Sequence, residues 1–181
     1  STSITGTLTG STINVYGTGI WFLNVNDKQL ISLDVSQATA LTSLHCETNQ
    51  LVTIDVSKNT ALRDLYCIGN QLTTLDVSKN TTLTDLYCGS NQLTTLDVTQ
   101  NTALTGLNCN YNHLNTLDLS KNTMLQTLGC NNNQIGELDL SNKSSLQHIV
   151  CDNNQIKTLN LDNDDAIQTV KCYNNELTFS T

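Results

Sequence analysis

Apolar residues recur along this chain with two superposed periods. Locally they alternate, as in the Leu-x-Cys of Leu86–Cys88 and the Leu-x-Val of Leu96–Val98. A period of two marks short extended segments with every second side chain turned inward. Over a longer range the same pattern returns every 21 residues. Cysteines stand at 46, 67, 88, 109, 130, 151 and 172. The apolar site two residues before each cysteine, with Leu23 in the same place before Val25, forms the series Leu23, Leu44, Leu65, Leu86, Leu107, Leu128, Ile149, Val170. A second series runs Val35, Val56, Val77, Val98, Leu119, Leu140, Leu161. A fixed period of this size is the signature of a repeat architecture, whose units bury their apolar faces by stacking.

From Ile20 the chain reads as repeats starting at 20, 41, 62, 83, 104, 125, 146 and 167, the last one partial. The unit at Leu83–Ala103, LTDLYCGSNQLTTLDVTQNTA, divides into a cysteine half and an aspartate half. Neither half has helical spacing or room for a helix of ordinary length. The prediction is a mainly β solenoid of about eight coils with little or no α-helix. Cysteine halves form a parallel sheet on the concave face, and aspartate halves form short extended segments on the convex side. Residues 1–19, rich in Thr, Ser and Gly, read as a β/turn capping segment, and 20–181 as the solenoid.

Polar residues keep the same register. Asn49, Asn70, Asn91, Asn112, Asn133, Asn154 and Asn175 close the cysteine halves. A side-chain amide donates and accepts, so this column can satisfy backbone groups at the bend, in its own coil and the next. In the aspartate half the equivalent site holds Asn59, Asn80, Asn101 and Asn122, then Lys143 and Asp164. Asp34, Asp55, Asp76, Asp97, Asp118 and Asp139 form a carboxylate column. At a coil spacing of ~4.8 Å, neighbouring charges repel by about 0.8 kcal/mol in bulk water. Backbone amides, the adjacent Ser36, Ser57, Ser78, Thr99, Ser120 and Ser141 hydroxyls, or cations including calcium could offset this, and hydrogen bonding is the favoured reading. Thr39, Thr60, Thr81, Thr102, Thr123 and Ser144 add a hydroxyl column.

The motif L-x-x-L-x-C-x-x-N-x-L-x-x-L-D-V-S-x-N-T-x resembles the 21-residue leucine-rich repeat of secreted bacterial proteins. It is similar to the cysteine-ladder repeats of internalin J and to repeats of secreted Bacteroidetes proteins. The resemblance covers 20–181, about nine tenths of the chain. It implies the fold strongly and the function only as recognition. Internalins carry a helical cap before the repeats and an immunoglobulin-like domain after them. Here residues 1–19 read as strand and turn, and the sequence stops inside a repeat at Phe179-Ser180-Thr181, so what is known of listerial receptors is not transferred.

Composition narrows the partners. The formal net charge is -8 and the pI near 4.5, which disfavours nucleic acid. No apolar run reaches the ~20 residues of a membrane span. The first residue is Ser1 rather than Met, which fits a chain matured by removal of a signal or one trimmed at its start. Stacked thiols share one Cβ direction at the strand spacing, beyond the ~3.5–4.5 Å that a disulfide needs, so each cysteine is expected to act as a small buried hydrophobe. No Cys-x-x-Cys, phosphate loop or nucleophile elbow occurs, so no cofactor, metal or catalytic constellation is expected.

The variable positions of the cysteine half carry six of the eight aromatic residues: Trp21, Phe22, Tyr66, Tyr87, Tyr111 and Tyr173. His45, Tyr66 and Tyr87 should stack in one column, with Arg63, Asp64 and Asp85 beside them. Tyrosine offers large contact area at low entropy cost. The expected ligand-binding set on the concave face is therefore Trp21, His45, Arg63, Asp64, Tyr66, Asp85, Tyr87 and Tyr111. Exposed rings also stabilise neighbouring strands without any ligand. Two function classes follow. One is a non-enzymatic extracellular recognition or adhesion module of a bacterial surface, binding protein or glycan. The alternative is a structural subunit stacking end to end into a filament, since the last coil ends at Leu177 and Phe179 with no polar cap.

Overall fold

The computed structural model describes residues 11–161 and 166–178. Asp164 and Phe179 lie outside these residues, as does the whole segment before Ser11. Among the described residues there is no helix, and the chain winds as a parallel β-solenoid.

One face is an eight-stranded parallel sheet built from the cysteine halves. Its strands are β2 (Phe22–Asn24), β4 (Ser43–His45), β5 (Asp64–Tyr66), β6 (Asp85–Tyr87), β7 (Gly106–Asn108), β8 (Thr127–Gly129), β10 (His148–Val150) and β12 (Thr169–Lys171). Every pairing joins residues 21 apart, such as Leu65 with Leu86 and Leu107 with Leu128. The central residue of each strand turns inward and its two flanks turn outward. The aspartate halves are extended but pair only locally. β9 (Leu138–Asp139) pairs with β11 (Leu159–Asn160). At the other end β1 (Ser11–Tyr16) pairs in parallel with β3 (Leu30–Gln37), so that the N-terminal segment covers the aspartate side of the first coil. Val15 is buried there.

Between the two faces lies one continuous apolar core. Leu41, Leu62, Leu83, Leu104, Leu125 and Leu146 are fully buried, as are the leucine and valine columns of the middle coils. Cys46, Cys67, Cys88, Cys109, Cys130 and Cys151 are buried free thiols, and Cys172 is half-buried. Burial pushes the Cys46 thiol up to about 12 and Cys109 likewise to about 12. A thiol held protonated at neutral pH is a poor nucleophile.

The bends are held by asparagine amides. Asn91 Nδ2 donates to the Cys88 carbonyl of its own coil at 3.1 Å and to the Cys67 carbonyl at 3.0 Å. Its Oδ1 accepts from the Leu72 amide at 2.9 Å. The same set recurs at Asn70, Asn112, Asn133, Asn154 and Asn175. The coil it reaches is thus the preceding one, not the following one. The residue before each ladder asparagine takes a left-handed backbone: Thr48, Gly69, Ser90, Tyr111, Asn132, Asn153 and Asn174 all have φ between 49 and 69°. That sharp turn aims the amide inward.

The aspartate-half asparagines are more deeply buried and differently bonded. Asn101 Nδ2 donates to the Val77 and Asn80 carbonyls at 3.0 and 2.9 Å. The Oδ1 atoms of Asn59, Asn80, Asn101 and Asn122 accept no hydrogen bond. Lys143 continues this column: it is buried, and its Nζ donates to the Leu119 carbonyl at 3.1 Å, the acceptor one coil on from the one Asn122 uses. The exposed aspartates are engaged locally. Asp34, Asp55, Asp76, Asp97, Asp118 and Asp139 each accept from the backbone amide two residues on at 2.8–2.9 Å. Those amides hold Asp34, Asp55, Asp76, Asp118 and Asp139 below the usual carboxylate range. For Asp97 the Thr99 hydroxyl is the larger cause.

Three outcomes follow from this packing. Asn91→Ala leaves several buried backbone groups without partners, at about 1–3 kcal/mol each. It should cost about 3 kcal/mol or more in urea denaturation, whereas the exposed Thr94→Ala changes little. Native protein treated with iodoacetamide should resist modification at the six buried cysteines and react only at Cys172. Mass spectrometry then finds all seven alkylated in guanidinium. Carboxylates with depressed folded pKa values stabilise the fold above the unfolded value of about 3.9. That contribution disappears as the pH falls through the folded values, so the melting temperature should drop on acidification below about pH 4.

Candidate functional site

The outward columns of the sheet differ sharply between its two ends. In the column following the buried leucines, the register places Asn24, His45, Tyr66, Tyr87, Asn108, Gly129, Val150 and Lys171 on successive strands. In the column preceding them stand Phe22, Ser43, Asp64, Asp85, Gly106, Thr127, His148 and Thr169. Rings and carboxylates therefore gather on β2 to β6. From β7 onward neither column carries a tyrosine or a carboxylate.

The rings touch in an unbroken ladder. Tyr66 and Tyr87 stack with centroids 4.7 Å apart and planes 10° from parallel. His45 lies 4.5 Å from Tyr66. Phe22 meets His45 edge-on at 5.2 Å, and Trp21 follows at 6.0 Å from Phe22. Face-to-face contact at the strand spacing follows from parallel in-register pairing, which sets identical side chains one above the other. Trp21 and Phe22 remain 63 and 45% exposed at the sheet edge, while Tyr66 and Tyr87 are half-buried by their neighbours.

Carboxylates flank the rings. Asp64 and Asp85 are direct register partners. Burial pushes the Asp85 carboxyl up, the Thr84 hydroxyl opposes this, and the charge of Asp64 adds to it. The Asp85 carboxylate leans over Gly106, where a Cβ would collide with its Oδ1 and lie 3.4 Å from the Tyr87 ring and hydroxyl. Glu47 sits just after the ladder, its Oε1 4.0 Å from His45 Nδ1. Its Oε2 is sealed from solvent and accepts no hydrogen bond. Burial, then the charge of Asp85, pushes the Tyr66 phenol up, with smaller contributions from Tyr87, Asp64 and Glu47.

The structure brings together Trp21, His45, Asp64, Tyr66, Asp85 and Tyr87 of the expected set, with exposed Arg63 immediately before β5. It separates Tyr111 from them. That residue follows β7 at the left-handed bend with φ 49° and is 54% exposed there, off the ring column. Tyr173 occupies the loop after β12, where the charge and hydrogen bond of Asp152 push its phenol up. Two contributors stand outside the expected set: Phe22, counted among the aromatics but not among the binding residues, and Gly106, which the sequence does not single out. Phe22 lies in the other column, and its ring reaches His45 diagonally. Gly106 lacks a side chain to attract notice, although its bare Cα makes the room that Asp85 occupies. Among the described residues no three His, Cys, Asp or Glu side chains converge to hold a metal ion. The described residues include no helix long and apolar enough to cross a membrane.

No family model and no curated protein matches the chain. Solved structures do. The functional domain of internalin J from Listeria monocytogenes, which includes a cysteine ladder, is 34% identical with a TM-score of 0.72, over 91% of this chain and 41% of that one. An internalin (InlF) from the same species is 25% identical with a TM-score of 0.70, over 86 and 54%. A leucine-rich-repeat protein of Leptospira interrogans shares the fold at 22% identity and a TM-score of 0.59, over 86 and 55%. This chain thus spans about half the length, or less, of each. Together with the 21-residue register, these likenesses identify the chain as a leucine-rich-repeat solenoid of the cysteine-ladder type, similar to the repeat domains of the internalins.

Proposed function

We propose that this chain is a non-enzymatic recognition module of a secreted or surface-exposed bacterial protein, and that it binds a protein partner through the sheet face at β2–β6. The observation that carries the reading is the continuous ring ladder Trp21–Phe22–His45–Tyr66–Tyr87. Stacking neighbouring strands would be served by any two rings. A ladder of five that leaves Trp21 and Phe22 widely exposed presents more apolar and aromatic surface than strand pairing requires. Tyrosine and tryptophan are the residues on which binding energy concentrates at protein interfaces. The likeness to internalin repeat domains supports the same reading. The six buried thiols, from Cys46 to Cys151, are pushed up by burial and offer no nucleophile. Being unbridged and inaccessible, they also suit an oxidising exterior.

Screening the protein against arrays of purified proteins and of glycans tests this. Proteins should be captured in preference to glycans. Tyr66→Ala with Tyr87→Ala should weaken capture by on the order of 100-fold while the melting curve stays cooperative. Capture that survives the double substitution would place the binding face elsewhere.

A further inference from the structure

The recognition reading leaves the partner's chemistry open, and the flanks of the ring ladder narrow it. Asp64 and Asp85 face outward as register partners on adjacent strands. Their repulsion grows as water is excluded, and both are half-buried. Glu47 adds a third carboxylate, one oxygen of which is buried and accepts no hydrogen bond. After burial, the charges of Asp85, Asp64 and Glu47 all help push the Tyr66 phenol up. Among the described residues no lysine or arginine nitrogen comes within 4.0 Å of any of the three. Arg63 is adjacent in sequence but exposed. Beyond Asp85 the same columns carry no further acid: Gly106, Thr127, His148 and Thr169 in one, Asn108, Gly129, Val150 and Lys171 in the other.

A bare metal ion does not fit this arrangement, since the described carboxylates do not converge on a point. A side-chain cation fits it better. A guanidinium or ammonium can donate charge-assisted hydrogen bonds to carboxylates spaced along the sheet. Its aliphatic stem would cover Tyr66 and Tyr87. Arginine suits the paired oxygens of Asp64 and Asp85 because its planar fork addresses two acceptors at once. We propose that the sheet face at β4–β6 docks an extended, arginine- or lysine-bearing segment of a partner protein. Asp64, Asp85 and Glu47 hold the cationic heads and the Tyr66–Tyr87 stack forms the platform. Gly106 is a positioning residue, keeping open the space into which Asp85 leans. This inference rests on the recognition reading above.

Fluorescence anisotropy with a labelled Ser-Arg-Ser-Arg-Ser-Arg-Ser-Arg peptide at physiological salt tests it, with the Ser-Glu counterpart as comparison. Wild type should bind the arginine peptide saturably and the glutamate peptide not at all. Asp64→Asn with Asp85→Asn should weaken binding at least tenfold. Glu137→Gln with Glu176→Gln removes the same charge from exposed positions on remote coils and should change it less than twofold. Absence of saturable binding overturns the proposal. So does equal weakening in both double variants, which would mean diffuse attraction to an acidic protein, or unchanged binding in Asp64→Asn/Asp85→Asn. Cooperative melting of each variant checks folding. A captured partner lost by Tyr66→Ala/Tyr87→Ala yet kept by Asp64→Asn/Asp85→Asn would retain the recognition face and reject the cationic occupant, so the two readings fail separately.

Discussion

Everything in this molecule depends on coil-to-coil pairing at an offset of 21 residues, with no slippage along the stack. A slip of one residue would turn each buried leucine outward and each outward ring into the core. Three-residue strands are too short to fix a register by themselves. The ladder asparagines supply what is missing, because each amide closes its own bend and grips the coil before it. Coils are therefore joined by specific buried bonds as well as by apolar contact, and stability accumulates from neighbour to neighbour.

The two faces solve the problem of stacked side chains differently. On the aspartate side, like charges repeat on successive coils, yet each carboxylate is occupied by the amide two residues along its own chain. The repulsion is offset locally, and the surface is nearly uniform. On the sheet side the outward positions vary, and the register converts that variation into a patch. Rings meet rings because they share a phase of the repeat, and carboxylates meet carboxylates for the same reason. Proximity of this sort needs no long-range folding device. A single substitution at the right phase adds a group to the face without altering the core.

Much of this was legible in the sequence. The cysteine spacing gave the coil length, and the alternation around Leu65 or Leu86 identified the buried residues. The His45, Tyr66 and Tyr87 column followed from counting. Phase alone did not show where extended chain gives way to bend. Tyr111 shares the cysteine half with Tyr87 but falls beyond the end of β7, in the left-handed turn. Nor does phase report how side chains lean. The diagonal reach of Phe22 to His45 depends on rotamers, and so does the movement of Asp85 over Gly106.

The sequence by itself determined the period, the parallel stacking and the identity of the core, because a 21-residue repeat admits one arrangement that buries every apolar column at once. Only the tertiary structure decided the direction of the asparagine bonds, the burial of Lys143 in an asparagine's place, and the makeup of the acidic aromatic patch. Those features depend on which atoms of adjacent coils come within reach of one another. Side-chain distances across a coil boundary are set by the curvature of the bend and by the space that neighbours leave, neither of which a one-dimensional pattern contains.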